Sequence, residues 1–173
     1  MADHQLEFAR VVREQKISRA DATRKIPLPD RSASAVYSSH MFEHLDRAEV
    51  ASFLAEAQRV LAPGGILRLA VPDLWRLARR YVEQARNADQ FVASTYLAAE
   101  KPHTAWGRLK YAVVGARHHH WMYDAASLKQ VLESAGLCNV AEVPPGVTTI
   151  PDPGELNLRE REDETIYVEA RRP

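Results

Sequence analysis

The chain has 173 residues and 19.5 kDa, 46% hydrophobic and 27% charged, which is room for one ordinary domain with a sizeable core. Lysine plus arginine and aspartate plus glutamate are equal at 23 each, so there is no basic excess with which to hold nucleic acid or anionic lipid by bulk charge. No apolar run nears the ~18 residues of a membrane span. The N-terminus lacks the apolar block of a signal peptide, and the single Cys138 excludes an internal disulfide, so a cytoplasmic protein is expected.

Residues 4–15 place Leu6, Ala9 and Val12 on one helical side, and residues 16–20 read as a short strand. Ile26 to Asp30 is extended, because Pro27 and Pro29 each disfavour helix in the residue before them. A buried strand is predicted over 33–38, ending in Ser38, Ser39 and His40. Asp46 followed by Glu49 is an N-cap with its acid three positions on. Val50, Phe53, Leu54, Ala57, Val60 and Leu61 then form one apolar helical face, stopped by Pro63-Gly64-Gly65. Ile66 to Val71 has the apolar run of a strand covered on both faces. A helix over 74–85 follows, through Leu77, Ala78, Tyr81 and Val82. Strand and helix alternating in this way predict an α/β fold with a parallel sheet. Residues 87–123 hold Phe91, Tyr96, Trp106 and Tyr111 without one strong period and read as a cap or insertion within a single domain spanning 1–173. A helix over 124–135 with Leu128, Val131, Leu132 and Ala135 inward stops at Gly136. Strands near 139–143 and 165–170 close the chain, separated by the proline-rich 144–153 and the charge run 160–164, which reads as a solvated turn.

The stretch PLPDRSASAVYSSHMFEHL (residues 27–45), a helix ending RVLAPGG, the strand ILRLAV and the later HHWMYDAASLKQVLESAG resemble the class I S-adenosylmethionine-dependent methyltransferases of the type 11 kind. The resemblance covers roughly residues 20–173. It implies a Rossmann-like, mostly parallel sheet, N-terminally truncated, of about five strands in the order 3-4-5-7-6. It also implies S-adenosylmethionine as cofactor and a small polar, possibly sugar-related, acceptor. The family opens with a strand, a glycine-rich loop that admits the methionine part of the cofactor, and an acid for the ribose. Here no glycine precedes Gly64. Weak or absent cofactor binding by this chain alone is therefore expected.

By the same resemblance Asp21 and Ala22 hold the adenine, and Ser38 and Ser39 stand beside the transferred methyl. His40 and His44 are the candidate bases, and His120, Trp121 and Tyr123 line the acceptor pocket. Methyl transfer relies chiefly on placing donor and acceptor close and in line, and a hydroxyl acceptor also needs a base of suitable pKa. His44 has a structural alternative, hydrogen-bonded beneath the helix start. No metal site is assigned, since three consecutive histidines, His118 to His120, cannot all face one ion on a regular element. Two other classes stay open. One is a non-catalytic binding or assembly module. The other is a zinc hydrolase using His40, Glu43 and His44 as H-x-x-E-H, which needs both histidines on a helix. A homodimer is expected through the sheet edge left by the missing first strand or through the first helix, with Phe8 and Val12 in the contact. Residues 16–20 pairing with 33–38 would be the internal repair.

Overall fold

The computed structural model describes residues 18–84, 87–97, 104 and 118–173. The predicted first helix with Phe8 and Val12, and most of the expected cap, lie outside the described residues. Four strands form one sheet: β1 (Ala33–Ser39), β2 (Leu61–Pro72), β3 (Cys138–Val143) and β4 (Thr165–Arg171), in the order β1-β2-β4-β3. β1 and β2 are parallel, and β4 is antiparallel to both β2 and β3. Three strands thus run one way and β4 against them. This is the Rossmann-like arrangement expected, with the last four strands of the predicted order. A strand pairing with the outer side of β1 is absent among the described residues. Ser18 to Ala20 are irregular, and the chain then turns back, Arg24 and Lys25 donating to the Asp21 carbonyl. Among the described residues β1 is therefore an edge, and most of its residues are half-buried.

The crossover from β1 to β2 is α1 (Arg47–Val60). The Asp46 carboxylate accepts from the N–H groups of Ala48 and Glu49 at 2.8 Å each, and Glu49 accepts from the Asp46 N–H at 2.9 Å. This reciprocal cap satisfies the otherwise unpaired donors of the first turn. Val50, Phe53, Leu54, Ala57 and Val60 are buried, as their spacing predicts. Ala33 pairs with Leu61 but Ala35 with Ile66, so Ala62 to Gly65 bulge out of β2. Gly64 takes φ +75°, which suits glycine. The extended 26–30 segment is pinned to α1 by Arg59, which donates to the carbonyls of Ile26 and Leu28 and to the Asp30 and Glu56 carboxylates.

One sheet face, carrying Leu67, Leu69, Val71, Ile166, Val168 and Ala170, packs on α1 and on α4 (Ala125–Ser134) through Leu128 and Leu132. The opposite face carries a buried ion pair. Arg68 Nη1 lies 2.7 Å from Glu169 Oε1, and Thr148 Oγ1 (2.5 Å), Thr149 Oγ1 (2.6 Å) and the Thr149 N–H (2.8 Å) also donate to that carboxylate. Arg68 further donates to the carbonyls of Val147 and Leu158, so the loop between β3 and β4 is fastened over this face.

The helix α2 (Leu74–Glu83) departs from the pattern read for it: Leu77 is its buried residue and Val82 is 77% exposed. Beside Leu77, polar groups join it to the 160–164 turn. Arg76 and Arg80 donate to the carbonyls of Glu162 and Asp163, which makes the 160–164 charge run a docked turn as well as a solvated one. α3 (Ala88–Thr95) follows, capped by Asn87 and Gln90, and Phe91 packs on Tyr81 with ring centroids 5.0 Å apart. No helix among the described residues is long and apolar enough to cross a membrane.

Candidate functional site

Beyond β1 the chain reverses at His40, whose φ is +47°, and makes a single 3-10 turn, Phe42–His44. Phe42 is wholly buried against Phe53 and Tyr123, which anchors the turn. Glu43 is drawn inside with it. Its side chain is 1% exposed, and neither carboxylate oxygen has a hydrogen-bond partner among the described residues. Three imidazoles surround Glu43 Oε1: His40 Nδ1 at 3.4 Å, His119 Nε2 at 3.9 Å and His44 Nε2 at 4.0 Å. His40 is 9% exposed in its side chain, with Nε2 on Thr165 Oγ1 at 3.1 Å. His44 is more open, and its Nδ1 is 3.0 Å from the His118 carbonyl. His119 Nδ1 is 2.8 Å from the Thr95 carbonyl. Burial pushes the His119 imidazole below its ordinary value, with Glu43 pulling the other way. Because residue 40 is not helical, the H-x-x-E-H spacing does not set His40 and His44 on one helical face, and the geometry of that hydrolase motif is not formed.

The segment leading to α4 closes over this turn. His120 and Trp121 both donate their N–H to the Glu43 carbonyl, and the rings of His118 and His120 stack at 5.0 Å. Trp121 is exposed under the Arg47 guanidinium, 4.0 Å from its centroid. Tyr123 is 1% exposed and lies in the core beside Phe42, so its ring is walled off from any open pocket. Burial pushes its phenol up, opposed by Arg47. His119, Thr165 and Glu160 were not singled out in the sequence. His119 sits within a triplet whose members look alike, and Thr165 and Glu160 reach the site only through tertiary folding.

At the same end of β1 lies an open cleft of about 620 Å³ lined by Arg19, Ala20, Asp21, Ala22, Thr23, Met41 and Leu45. The Asp21 carboxylate accepts from the Thr23 N–H (3.0 Å) and hydroxyl (2.7 Å), bonds that hold it below its ordinary value. Ser38 is buried, and its hydroxyl has no partner among the described residues. Ser39 donates to Glu160 at 2.5 Å. In open α/β sheets, ligands bind outside the carboxyl ends of the strands, where this cleft lies.

Residues 1–69 match the family model for the methyltransferase domain. The fold resembles that of a SAM-dependent methyltransferase of Thermotoga maritima, at TM-score 0.50 and 18% identity over 88% of this chain and 61% of that one. A SAM-dependent methyltransferase of Archaeoglobus fulgidus gives TM-score 0.48 and 14% identity over 90% and 66%. The family-model match covers about two-fifths of the chain, and what it and the fold show is a likeness to methyltransferase domains. It spans about three-fifths of the Thermotoga protein's length. No curated protein matches its sequence.

S-adenosylmethionine is the cofactor that a likeness to methyltransferase domains implies. The fit of the described residues is divided. Asp21, Ala22, Met41 and Leu45 offer a half-apolar wall with a polar rim, suited to the flat adenine end. For the methionine end the family's glycine-rich loop lets backbone approach the ligand, and this chain's first glycine is Gly64, in the β2 bulge.

Proposed function

We propose that the chain is the acceptor-side part of a methyltransferase, receiving the adenine end of S-adenosylmethionine in the cleft between Asp21 and Leu45. The observation that carries this is the position of that cleft, walled by Met41 and Leu45 where the chain leaves the carboxyl end of β1. The acceptor, a small polar and sugar-related molecule in this reading, would sit beyond Ser38 against the 3-10 turn, with His120 and Trp121 at its rim. Of the two candidate bases, His40 is held on Thr165 inside the protein, which leaves His44 as the ring an acceptor reaches. The chain is placed in the cytoplasm. The exposed edge of β1 pairs it with a second copy.

The test is calorimetric titration of the chain with adenosine and with S-adenosylhomocysteine, the cofactor product. If the adenine end alone is gripped, both bind weakly, near the millimolar constants that correspond to about 4 kcal/mol, and with similar affinity. Neither ligand binding at millimolar concentration would overturn the cleft assignment. S-adenosylhomocysteine binding a hundredfold tighter than adenosine would show that the chain grips the methionine end as well. A non-catalytic binding module is the second reading, and the enclosure of His40 and Tyr123, two of the residues the acceptor chemistry would use, favours it. It predicts no methyl transfer to any acceptor even at saturating cofactor.

A further inference from the structure

An ionised carboxylate in a protein interior persists where it is paired with a cation or ligates one. The Glu43 carboxyl is fully enclosed, without a hydrogen bond to either oxygen among the described residues. The two imidazole nitrogens nearest its Oε1, besides His40, are the Nε2 atoms of His44 and His119, and the three ligand atoms all lie within 4.8 Å of one another. What faces the other nitrogen of each ring fixes its tautomer. His44 Nδ1 meets the His118 carbonyl, and His119 Nδ1 meets the Thr95 carbonyl and the Met122 sulfur at 3.3 Å. Those partners only accept, so each Nδ1 carries the hydrogen, and each Nε2 of a neutral ring turns a lone pair toward Glu43. Two imidazole lone pairs thus face the Glu43 carboxyl, with His40 Nδ1 as the third ring nitrogen beside it, 3.4 Å from Oε1.

We propose that Glu43, His44 and His119 bind one divalent transition-metal ion of the zinc class. Two imidazoles and a carboxylate are the donor set such ions prefer, and a backbone carbonyl on the distal ring nitrogen is the usual outer support of a metal-binding histidine. Tetrahedral zinc with bonds of about 2.0–2.2 Å spaces its ligand atoms about 3.3 Å apart, so the 3.9 and 4.0 Å separations close by less than about 1 Å. The side chain of His44 is 39% exposed, which opens a fourth position to water or to an acceptor oxygen. His40, held by Thr165 through Nε2, stands 3.4 Å from the same carboxylate oxygen and stays outside the set. The ion ties the turn after β1 to the segment entering α4. Here Glu43 is a ligand and not a base, and His119 replaces His40 in the set, so the site differs from the H-x-x-E-H reading. It rests on nothing assumed about the cofactor cleft. A bound ion occupies His44 Nε2, so the metal-loaded chain has no free base at that ring.

The experiment strips the full chain with chelator, then titrates it with Co²⁺ followed by absorption and with Zn²⁺ followed by calorimetry. One ion per chain is expected, with ligand-field bands of a low-coordinate N/O site and a rise in Tm on loading. His44→Ala and His119→Gln should each weaken binding at least tenfold, while a chain carrying both His118→Ala and His120→Ala binds as the wild type does. Circular dichroism of the stripped variants confirms that they fold, and the wild-type stoichiometry and Tm stand without them. Absence of stoichiometric uptake by the wild type would overturn the proposal. So would uptake lost on changing His118 and His120 but kept on changing His44 and His119, which would mark an exposed histidine tract.

Discussion

Replacing Glu169 by glutamine removes one charge from a pair that the sheet has sealed away. Arg68 is 0% exposed and Glu169 is 4% exposed in their side chains, and four donors converge on the carboxylate: Arg68 Nη1, both threonine hydroxyls and the Thr149 N–H. Glutamine offers one oxygen and sets an NH₂ against donors on the other side. Hydrogen bonds to charged groups contribute about 1.5–3 kcal/mol each, but four cannot be summed, because the ionised carboxylate is costly to bury in the first place. Breaking a buried pair on one side costs about 3–5 kcal/mol. For a domain of this size that lowers Tm by roughly 6–20 °C. Urea denaturation of Glu169→Gln measures the loss directly. A second chain, with Arg68→Met and Glu169→Leu together, leaves neither charge unpaired and should lose less than the single substitution. A loss below about 1 kcal/mol for Glu169→Gln would refute the reasoning, as would a paired replacement costing as much as its two parts combined.

Stability should also fall in acid. Hydrogen bonds from Arg59 and the Ile26 N–H lower the Glu56 carboxyl from 4.5 to about 2, and at Glu169 the donors from Thr148, Thr149 and Arg68 outweigh the upward push of burial. Both groups are depressed in the folded chain, so their stabilisation is present above pH 4.5 and is lost as pH falls below it, for Glu56 toward about 2; urea midpoints that hold constant as pH falls below 4.5 would contradict this. Asp46→Ala removes the cap of α1 and should cost about 1 kcal/mol, read from the same denaturation curves; no measurable change would mean that the cap bonds to Ala48 and Glu49 contribute nothing net. Light scattering at micromolar concentration should give twice 19.5 kDa if the β1 edge pairs with a second copy, and a soluble monomer would count against that pairing.

Helices and strands were legible where one local signal dominated. The Asp46–Glu49 cap, the period of α1 and the Gly136 stop, at φ +90°, each depend on neighbours in sequence, and the elements formed with bounds within a residue or two. Arg68 was hidden inside ILRLAV, because its partner Glu169 lies on a strand a hundred residues away and its covering loop has no periodic pattern. Val82 misled for the complementary reason. Its spacing fits an apolar face, but the surface that α2 meets is the polar 160–164 turn, which Arg76 and Arg80 bind. At the site, Glu43, His44 and the Asp21 turn stood out through their motif. His119 did not, since one histidine of three is distinguished only by which carbonyl its Nδ1 meets.

The proposed function requires this chain to grip a methyl donor by its adenine end at the carboxyl edge of β1. Backbone amide shifts recorded while S-adenosylhomocysteine is added to the ¹⁵N-labelled chain probe that grip residue by residue. Saturable shifts concentrated at residues 19–23 and at Met41 and Leu45 are expected, reproduced by adenosine alone. Shifts confined elsewhere, such as the groove between α1 and α4, or none at millimolar ligand, would contradict it.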